Sequence, residues 1–137
     1  MTRPAPERVQ ILLVEDKAGE AESSLRVLRE SRAAHQVHWV KDGEEALDFL
    51  FCSGRYAGRD PGAPPAIVLL DIKLPKIDGI EVLRRVKGSQ LRAIPVVVMT
   101  SSTEERDVLE SYRLGVDRYV AKPLALEGFL DAIKGLL

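Results

Sequence analysis

A nearly continuous apolar run, Val9-Gln10-Ile11-Leu12-Leu13-Val14, ends directly in the acidic pair Glu15-Asp16. A run of this kind is typical of a strand that is buried on both faces, as in a parallel sheet between two layers of helices. The segment that follows, 18–31, carries apolar residues at helical spacing. The start of the chain therefore predicts a β-α unit with two carboxylates at the turn between strand and helix.

The same alternation of short apolar runs and helical segments continues along the chain. The predicted strands are 9–14, 37–41, 66–70, 94–99 and 117–121. The predicted helices are 18–31, one that begins at Asp42, 78–87, 102–114, and a last one whose apolar stripe is Leu126, Phe129, Leu130, Ile133 and Leu137. This order predicts an α/β fold with helices on both faces of a parallel sheet. Right-handed crossovers favour a doubly wound, flavodoxin-like sheet of five strands in the order 2-1-3-4-5, with five helices.

Composition limits the class of protein. The chain has 137 residues, which predicts a single domain over 1–137 with a core over about 9–136. Its net charge of −1 argues against nucleic-acid binding. The single cysteine, Cys52, excludes an internal disulfide, and two histidines with one cysteine are too few for a typical zinc site. No apolar run is long enough for a membrane helix, so we expect a cytoplasmic protein without a membrane partner.

Polar residues stand where the predicted strands end. Glu15-Asp16 follows strand one, Asp71 follows strand three, Thr100 follows strand four and Lys122 follows strand five. Ligands of open α/β sheets bind beyond the carboxyl ends of the strands, at the switch point, which in this order lies between strands one and three. We therefore expect these side chains to share one rim of the sheet. The structural alternatives are that Asp16 caps the first helix and that Lys122 is a solvated turn residue.

The charges at this rim predict a metal. Two carboxylates about 4 Å apart repel by roughly 4 kcal/mol at an effective dielectric of about 20, and one lysine cannot neutralise three of them. Oxygen ligands from one or two carboxylates and water are what Mg²⁺ prefers. A metal beside a carboxylate, a hydroxyl and an ammonium group is suited to phosphoryl transfer. The acceptor should be the carboxylate nearest Thr100 and Lys122, which is Asp71.

Four motifs carry a family resemblance over about residues 9–136. They are Val14-Glu15-Asp16, the segment Leu69-Leu70-Asp71-Ile72-Lys73-Leu74-Pro75-Lys76-Ile77-Asp78-Gly79, Val98-Met99-Thr100-Ser101, and Val120-Ala121-Lys122-Pro123. Together they resemble the receiver domain of two-component response regulators. The resemblance implies a protein that takes a phosphoryl group from a histidine kinase and catalyses only its own phosphorylation and dephosphorylation.

The resemblance also implies roles for the acidic residues and their neighbours. Asp71 is the expected phospho-acceptor. Asp16 is expected to bind Mg²⁺ directly and Glu15 through water, with Asp71 and the backbone carbonyl of Lys73 as further ligands. Glu15 stands where the family more commonly has aspartate. Lys73 and Ser102 occupy positions that tune self-dephosphorylation in this family.

The switch residues follow from the same resemblance. The hydroxyl of Thr100 is expected to turn toward the phosphoryl group, and Lys122 to pair with it. Tyr119 matches the aromatic residue that turns inward on activation. The Lys122-Pro123 bond is expected to be cis, and no cofactor besides Mg²⁺ is implied.

The segment 53–65 is long for a connection in such a fold and is either a functional surface loop or a tolerated insertion. Phe49-Leu50-Phe51, together with Gly54-Arg55-Tyr56-Ala57-Gly58-Arg59-Asp60-Pro61, is similar to single-domain receivers paired with bacterial phytochrome histidine kinases. That resemblance implies a kinase of this type as the partner.

The output is expected to pass through protein contacts, because only 14 residues follow Pro123 and no effector domain fits. The partner would be a downstream target or a phosphotransfer protein. Homodimerisation is expected through helix four, strand five and helix five. Val108 and Tyr112, four residues apart on helix four, are interpreted as core residues rather than as part of that face.

Other readings of the same topology fit less well. A flavin binder of this fold needs a first loop that holds a phosphate, which Glu15-Asp16 would repel. A phosphatase of the haloacid-dehalogenase type would need an aspartate where Lys73 stands. No Walker motif occurs, which argues against a nucleotide hydrolase. The alternative that stays open is a receiver-like binding module that works without phosphorylation.

Overall fold

Strands and helices alternate along the chain in a computed structural model that describes residues 10–32 and 36–136. In these residues the strands are β1 (Gln10–Val14), β2 (Gln36–Val40), β3 (Ile67–Asp71), β4 (Val96–Thr100) and β5 (Arg118–Ala121). The α-helices are α1 (Ala18–Ser31), α2 (Gly43–Leu50), α3 (Gly79–Lys87), α4 (Thr103–Ser111) and α5 (Leu126–Ile133), with a 3₁₀ turn at Gly54–Tyr56. The first residue of the predicted strand one, Val9, lies outside the described residues.

The five strands form one sheet in the order β2-β1-β3-β4-β5, and every adjacent pair is parallel. Val14 at the end of β1 is in register with Leu70 in β3 and with Val40 in β2. The predicted flavodoxin-like, doubly wound fold is therefore confirmed. Because all strands run the same way, their carboxyl ends meet at one rim.

The core lies on both faces of the sheet. Leu12 and Val14 of β1 pack in one cluster with residues of α2 and α3, whereas Ile11 and Leu13 pack in the other with residues of α1 and α5. All four side chains are fully buried. This two-sided burial explains why the first strand reads as a continuous apolar run instead of an alternating one.

Several predicted boundaries are shifted. The strand predicted over 94–99 begins at Val96, because Pro95 has no N–H to give to a ladder and Ile94 donates its N–H to Leu91 instead. Helix α4 ends at Ser111, three residues earlier than predicted. The other strand boundaries differ from the predicted ones by one residue.

Two predictions of burial are wrong. Val108 and Tyr112 on α4 are 52% and 51% exposed, because Leu109 is the residue of this helix that enters the core. In α5 the predicted stripe splits: Phe129 and Ile133 are buried, while Leu126 and Leu130 are 37% and 38% exposed. Ala132, which the prediction left out, is buried in place of those two leucines. Leu137, the last residue of the predicted stripe, lies outside the described residues.

The chain turns sharply between β3 and α3. Asp78 caps α3 by accepting a hydrogen bond from the Glu81 N–H at 3.1 Å, and the Gly79 N–H donates to the Ile72 carbonyl at 3.0 Å. A Cβ atom at Gly79 would lie 2.7 Å from both Cα and O of Ile72. The close approach therefore requires glycine here, and it fixes the loop that follows Asp71.

The segment 53–65 is held against α2. The guanidinium of Arg59 lies 3.8 Å above the ring of Phe49 and donates hydrogen bonds to the carbonyls of Phe49 and Ala63. The Tyr56 hydroxyl donates to Oε2 of the buried Glu45 at 2.6 Å. The segment thus packs along α2, on Phe49 in its last turn and on Glu45 in its first turn. Within the described residues, no helix is long and apolar enough to cross a membrane.

Candidate functional site

The three acidic residues predicted at the strand ends lie together. Glu15 follows β1 and Asp71 ends β3, and these strands are neighbours in register. Three carboxylate oxygens lie within 4.8 Å of one another, one each from Glu15, Asp16 and Asp71. Glu15 is fully buried and Asp71 is 4% exposed. The sheet therefore concentrates negative charge at its switch point.

The unpaired oxygens of this cluster fit a hard divalent cation. Among the described residues, Oε1 of Glu15 and Oδ1 of Asp16 are buried and accept no hydrogen bond. The other oxygen of Glu15 accepts from the Lys17 N–H at 3.2 Å, and Oδ1 of Asp71 accepts from the Lys73 N–H at 3.1 Å. Buried acceptors without partners are unfavourable, and an all-oxygen set suits Mg²⁺. The residues therefore fit the predicted metal.

Burial and the neighbouring carboxylate of Asp71 raise the pKa of Glu15 to about 7, against an ordinary value of 4.5. Its backbone hydrogen bond from Lys17 and the nearby Lys122 oppose this shift without cancelling it. A desolvated carboxylate with a second carboxylate at this spacing is harder to ionise, which is the cause of the raised pKa of Glu15. A positive ion bound between them would remove that penalty.

Lys122 is the cation of the site. Its Nζ lies 2.9 Å from Oε1 of Glu20, 3.0 Å from Oδ2 of Asp71 and 3.3 Å from Oε1 of Glu15. Burial disfavours its charge, but hydrogen bonds to Glu20 and Asp71 outweigh that effect and raise the pKa of Lys122 above its usual range. The side chain is only 15% exposed, so the alternative of a solvated turn residue is wrong.

Two further predicted residues, Thr100 and Tyr119, lie on the adjacent strands. Thr100 ends β4, is 7% exposed, and accepts a backbone hydrogen bond from Lys122 at 2.8 Å. Tyr119 in β5 is half-buried, and the Arg106 guanidinium lies 4.6 Å from its ring centre. Burial raises the pKa of Tyr119. The ring therefore borders α4, next to the strand that carries Thr100.

An ion pair joins the loop after β3 to the first turn of α4. Nζ of Lys73 lies 3.2 Å from Oε2 of Glu105, which also accepts from the Ser101 hydroxyl at 2.9 Å. Although burial opposes it, hydrogen bonding by Ser101 and Lys73 lowers the pKa of Glu105. The Ser102 hydroxyl accepts a hydrogen bond from the Glu105 N–H at 3.2 Å, so Ser102 caps α4.

Helix α1 does not use Asp16 as its cap. Its N-cap residue is Lys17, with no side-chain capping hydrogen bond. The alternative in which Asp16 is only a helix cap is therefore wrong. The carboxylate borders an open cavity of about 950 Å³ at the rim, which Asp71, Lys73 and Lys122 also line. The Lys122–Pro123 peptide bond is cis, as the family resemblance implies.

Comparison with known proteins identifies the family. Residues 11–134 match the model of the response regulator receiver domain. The chain belongs to this family. Receiver domains are signalling modules, and the five-stranded fold described above is theirs.

Individual relatives narrow the resemblance. A solved structure of the bacteriophytochrome response regulator AtBRR is 52% identical, with a TM-score of 0.89, and the match covers 96% of this chain and 94% of that one. Response regulator Rcp1 of Synechocystis sp. is 39% identical over 127 residues, which are 92% of this chain and 84% of that protein. A Mn²⁺-bound structure of Rcp1 has a TM-score of 0.73 and covers 93% of this chain and 88% of that one. This receiver is thus similar to phytochrome-associated response regulators, as its sequence predicted.

Sequence reasoning missed two acidic residues of this receiver's site. Glu20 lies in the first turn of α1 and contacts Lys122, and Glu105 lies in the first turn of α4 and contacts Lys73. Their positions in the sequence could have indicated them, because the first turns of the helices that follow β1 and β4 lie at the carboxyl rim. The sequence gives no indication of which lysine each would face.

Proposed function

We propose that this receiver accepts a phosphoryl group from a histidine kinase on Asp71. The observation that carries the proposal is the position of the Asp71 carboxylate. One of its oxygens lies 3.0 Å from the Lys122 ammonium, and one oxygen each of Glu15, Asp16 and Asp71 lie within 4.8 Å of one another. Within the described residues, Oε1 of Glu15 and Oδ1 of Asp16 are buried and accept no hydrogen bond, although Lys122 lies 3.3 Å from the former. A carboxylate that accepts a dianionic group needs positive charge nearby. Asp71 has the Lys122 ammonium beside one oxygen and, with Glu15 and Asp16, a place for a metal ion.

Mg²⁺ would be held by the carboxylates of Glu15, Asp16 and Asp71 and by the backbone carbonyl of Lys73. When bound, it neutralises charge on the transferring phosphoryl group and on the acceptor. The solved structure of Rcp1 is a Mn²⁺-bound form, which supports a divalent ion in this receiver as well. The unpaired oxygens of Glu15 and Asp16 support it independently.

The transfer is a displacement at phosphorus. An oxygen of Asp71 attacks the phosphoryl group of a phosphohistidine, the P–N bond breaks, and its electron pair stays on the imidazole, which leaves an acyl phosphate on Asp71. Lys122 neutralises the charge that gathers on the phosphoryl oxygens, and the N–H of Lys73 orients the carboxylate. Hydrolysis by water returns the carboxylate. The chain needs no other enzymatic activity.

Phosphorylation would be read through β4, α4 and β5. The modification replaces the single charge of the carboxylate with a phosphoryl group of about −1.5 to −2, which attracts the Thr100 hydroxyl and Lys122. Movement of Thr100 would shift the loop between β4 and α4 and the first turn of α4, which carries Glu105, and with them the space beside Tyr119. A Thr100→Ala variant is expected to keep its phosphoryl adduct and to lose about tenfold in the equilibrium toward the active state, since one charge-assisted hydrogen bond is removed. An unchanged phosphorylation-dependent shift in self-association or partner binding would contradict this.

The partners are proposed to be proteins in the cytoplasm. AtBRR and a phosphorylated cyanobacterial phytochrome response regulator, RcpA, which is 37% identical with a TM-score of 0.71 over 94% of this chain and 91% of that one, support a phytochrome-type histidine kinase. The output would pass to a downstream protein or a phosphotransfer protein. Val108 and Tyr112, both about half exposed, support homodimerisation through α4, β5 and α5. The net charge of −1 supports no nucleic-acid partner.

The test is intact-mass spectrometry after incubation with acetyl phosphate and Mg²⁺. The wild type is expected to gain one phosphoryl group, and Asp71→Asn or a chelator to prevent the gain. A short-lived adduct is distinguished by beryllofluoride, which mimics the phosphoryl group without being hydrolysed. A folded wild type that binds neither would overturn the proposal in favour of a phosphorylation-independent binding module.

A further inference from the structure

Glu20 is the closest carboxylate to the Lys122 ammonium. Its Oε1 lies 2.9 Å from Nζ, against 3.0 Å for Asp71 and 3.3 Å for Glu15. Unlike those two buried groups, the Glu20 side chain is 42% exposed and borders the mouth of the cavity. Its other oxygen lies 3.6 Å from the exposed ammonium of Lys17. Lys122 is therefore held between the acceptor and a carboxylate on the outward side.

This arrangement matters because the acceptor changes size and charge. A phosphoryl group on Asp71 places its oxygens farther from the end of β3, toward the cavity where Glu20 lies. The ammonium of Lys122 must then serve the phosphoryl oxygens, while the Glu20 carboxylate becomes a like-charged neighbour of the phosphoryl group. One positive charge cannot neutralise both anions, so Glu20 and the phosphoryl group compete for Lys122.

We propose that Glu20 is a positioning residue that holds the Lys122 ammonium beside unphosphorylated Asp71 and competes with the phosphoryl group for it. The inference rests on the proposed function of Asp71. Glu20 contacts the ammonium groups of Lys122 and Lys17, and its effect on Asp71 is exerted through Lys122. Its negative charge shifts the balance toward the unmodified state, so removing the charge favours retention of the phosphoryl group.

The test compares beryllofluoride affinity in three single variants and the wild type, at Mg²⁺ saturating for each protein. Glu20→Gln keeps an oxygen acceptor for Lys122 but removes the charge, and Glu20→Asp keeps the charge. Glu22→Gln is the matched control, because it makes the same change of charge at an exposed position two residues along α1. Binding is followed by the fluorescence of Trp39, the single tryptophan, whose indole N–H donates to the Glu15 carbonyl at 2.7 Å.

Glu20→Gln is expected to bind beryllofluoride roughly three- to tenfold more tightly than the wild type. The affinity of Glu22→Gln should stay within twofold of the wild type. The affinity of Glu20→Asp should lie closer to that of the wild type than to that of Glu20→Gln. The difference should shrink in concentrated salt, because charges at a partly exposed site are screened. A role confined to packing would not respond to salt. Equal or weaker binding by Glu20→Gln, with normal binding by the wild type, would overturn this inference and leave the proposed function standing. No binding by the wild type would overturn both.

Discussion

Glu15 offers a sharp test of the electrostatics of this site, because its ionisation opposes folding when no metal is bound. The side chain is fully buried, and burial with the adjacent Asp71 raises its pKa from 4.5 to about 7. Each unit of difference corresponds to about 1.4 kcal/mol between the two protonation states. The metal-free protein should therefore lose about 3 kcal/mol of its free energy of unfolding from this one group as the pH rises.

The sign follows from proton binding. Between pH 4.5 and about 7 the folded state holds a proton on Glu15 that the unfolded state has released, so stability is present at low pH and is lost as the pH rises through this window. Glu15→Gln has no such proton. Relative to the wild type, the variant is expected to gain about 3 kcal/mol between pH 5 and pH 8 in a chelating buffer.

The assay is urea unfolding, followed by circular dichroism in a chelating buffer at several pH values. At each pH, the free energy of unfolding of the wild type is subtracted from that of Glu15→Gln. The change of this difference with pH is the test, because an offset that is the same at every pH reflects only how the amide fits the pocket. Glu22→Gln, an exposed change of the same charge, should show no such change. Mg²⁺ should stabilise the wild type most above pH 7, where the Glu15 carboxylate is ionised. A difference that does not vary with pH would refute the reasoning.

Two further substitutions test the scaffold around the site. Gly79→Ala is expected to destabilise the fold by about 1–3 kcal/mol in urea unfolding, because the new Cβ would lie 2.7 Å from backbone atoms after β3. Gly128→Ala in α5, where a Cβ meets nothing within 4 Å, should instead stabilise by roughly 0.5–1 kcal/mol, and equal effects would contradict the proposed clash. Tyr56→Phe removes the hydrogen bond to buried Glu45, together with the 3.0 Å contact between the hydroxyl and Nε2 of His38, and should lower the free energy of unfolding by about 1–3 kcal/mol. Tyr112→Phe, at a residue 51% exposed, should change it by less than about 0.5 kcal/mol, so a similar loss in both would refute the role of that bond.

The sequence was sufficient for the sheet and for the residues at its rim, because both depend on patterns that topology constrains strongly. A strand buried on both faces has a distinctive apolar run, and parallel order brings the residues that end β1, β3, β4 and β5 to one edge. That reasoning placed Asp71 beside Lys122 without any knowledge of side-chain positions.

The remaining features depend on how helices pack, which periodicity alone does not determine. Val108 and Tyr112 have helical spacing, yet α4 rotates so that Leu109 enters the core and leaves both exposed. For the same reason, the sequence pattern placed Leu126 and Leu130 on the buried stripe of α5, although both are partly exposed. Glu20 was missed for a related reason, since its contact with Lys122 depends on the direction in which α1 leaves the sheet.

Arg59 closes the segment 53–65 on itself, because one guanidinium donates to the carbonyls of Phe49 before the segment and Ala63 near its end. Residues 60–62 between these anchors are mostly exposed, and the segment enters the sheet at the amino end of β3, opposite the rim that holds Asp71. A spectroscopic label or an inserted peptide at Gly62 would thus be attached to a fixed base while staying away from the acidic cluster. The protein therefore carries its own attachment point for following association in solution without disturbing the chemistry at the other edge.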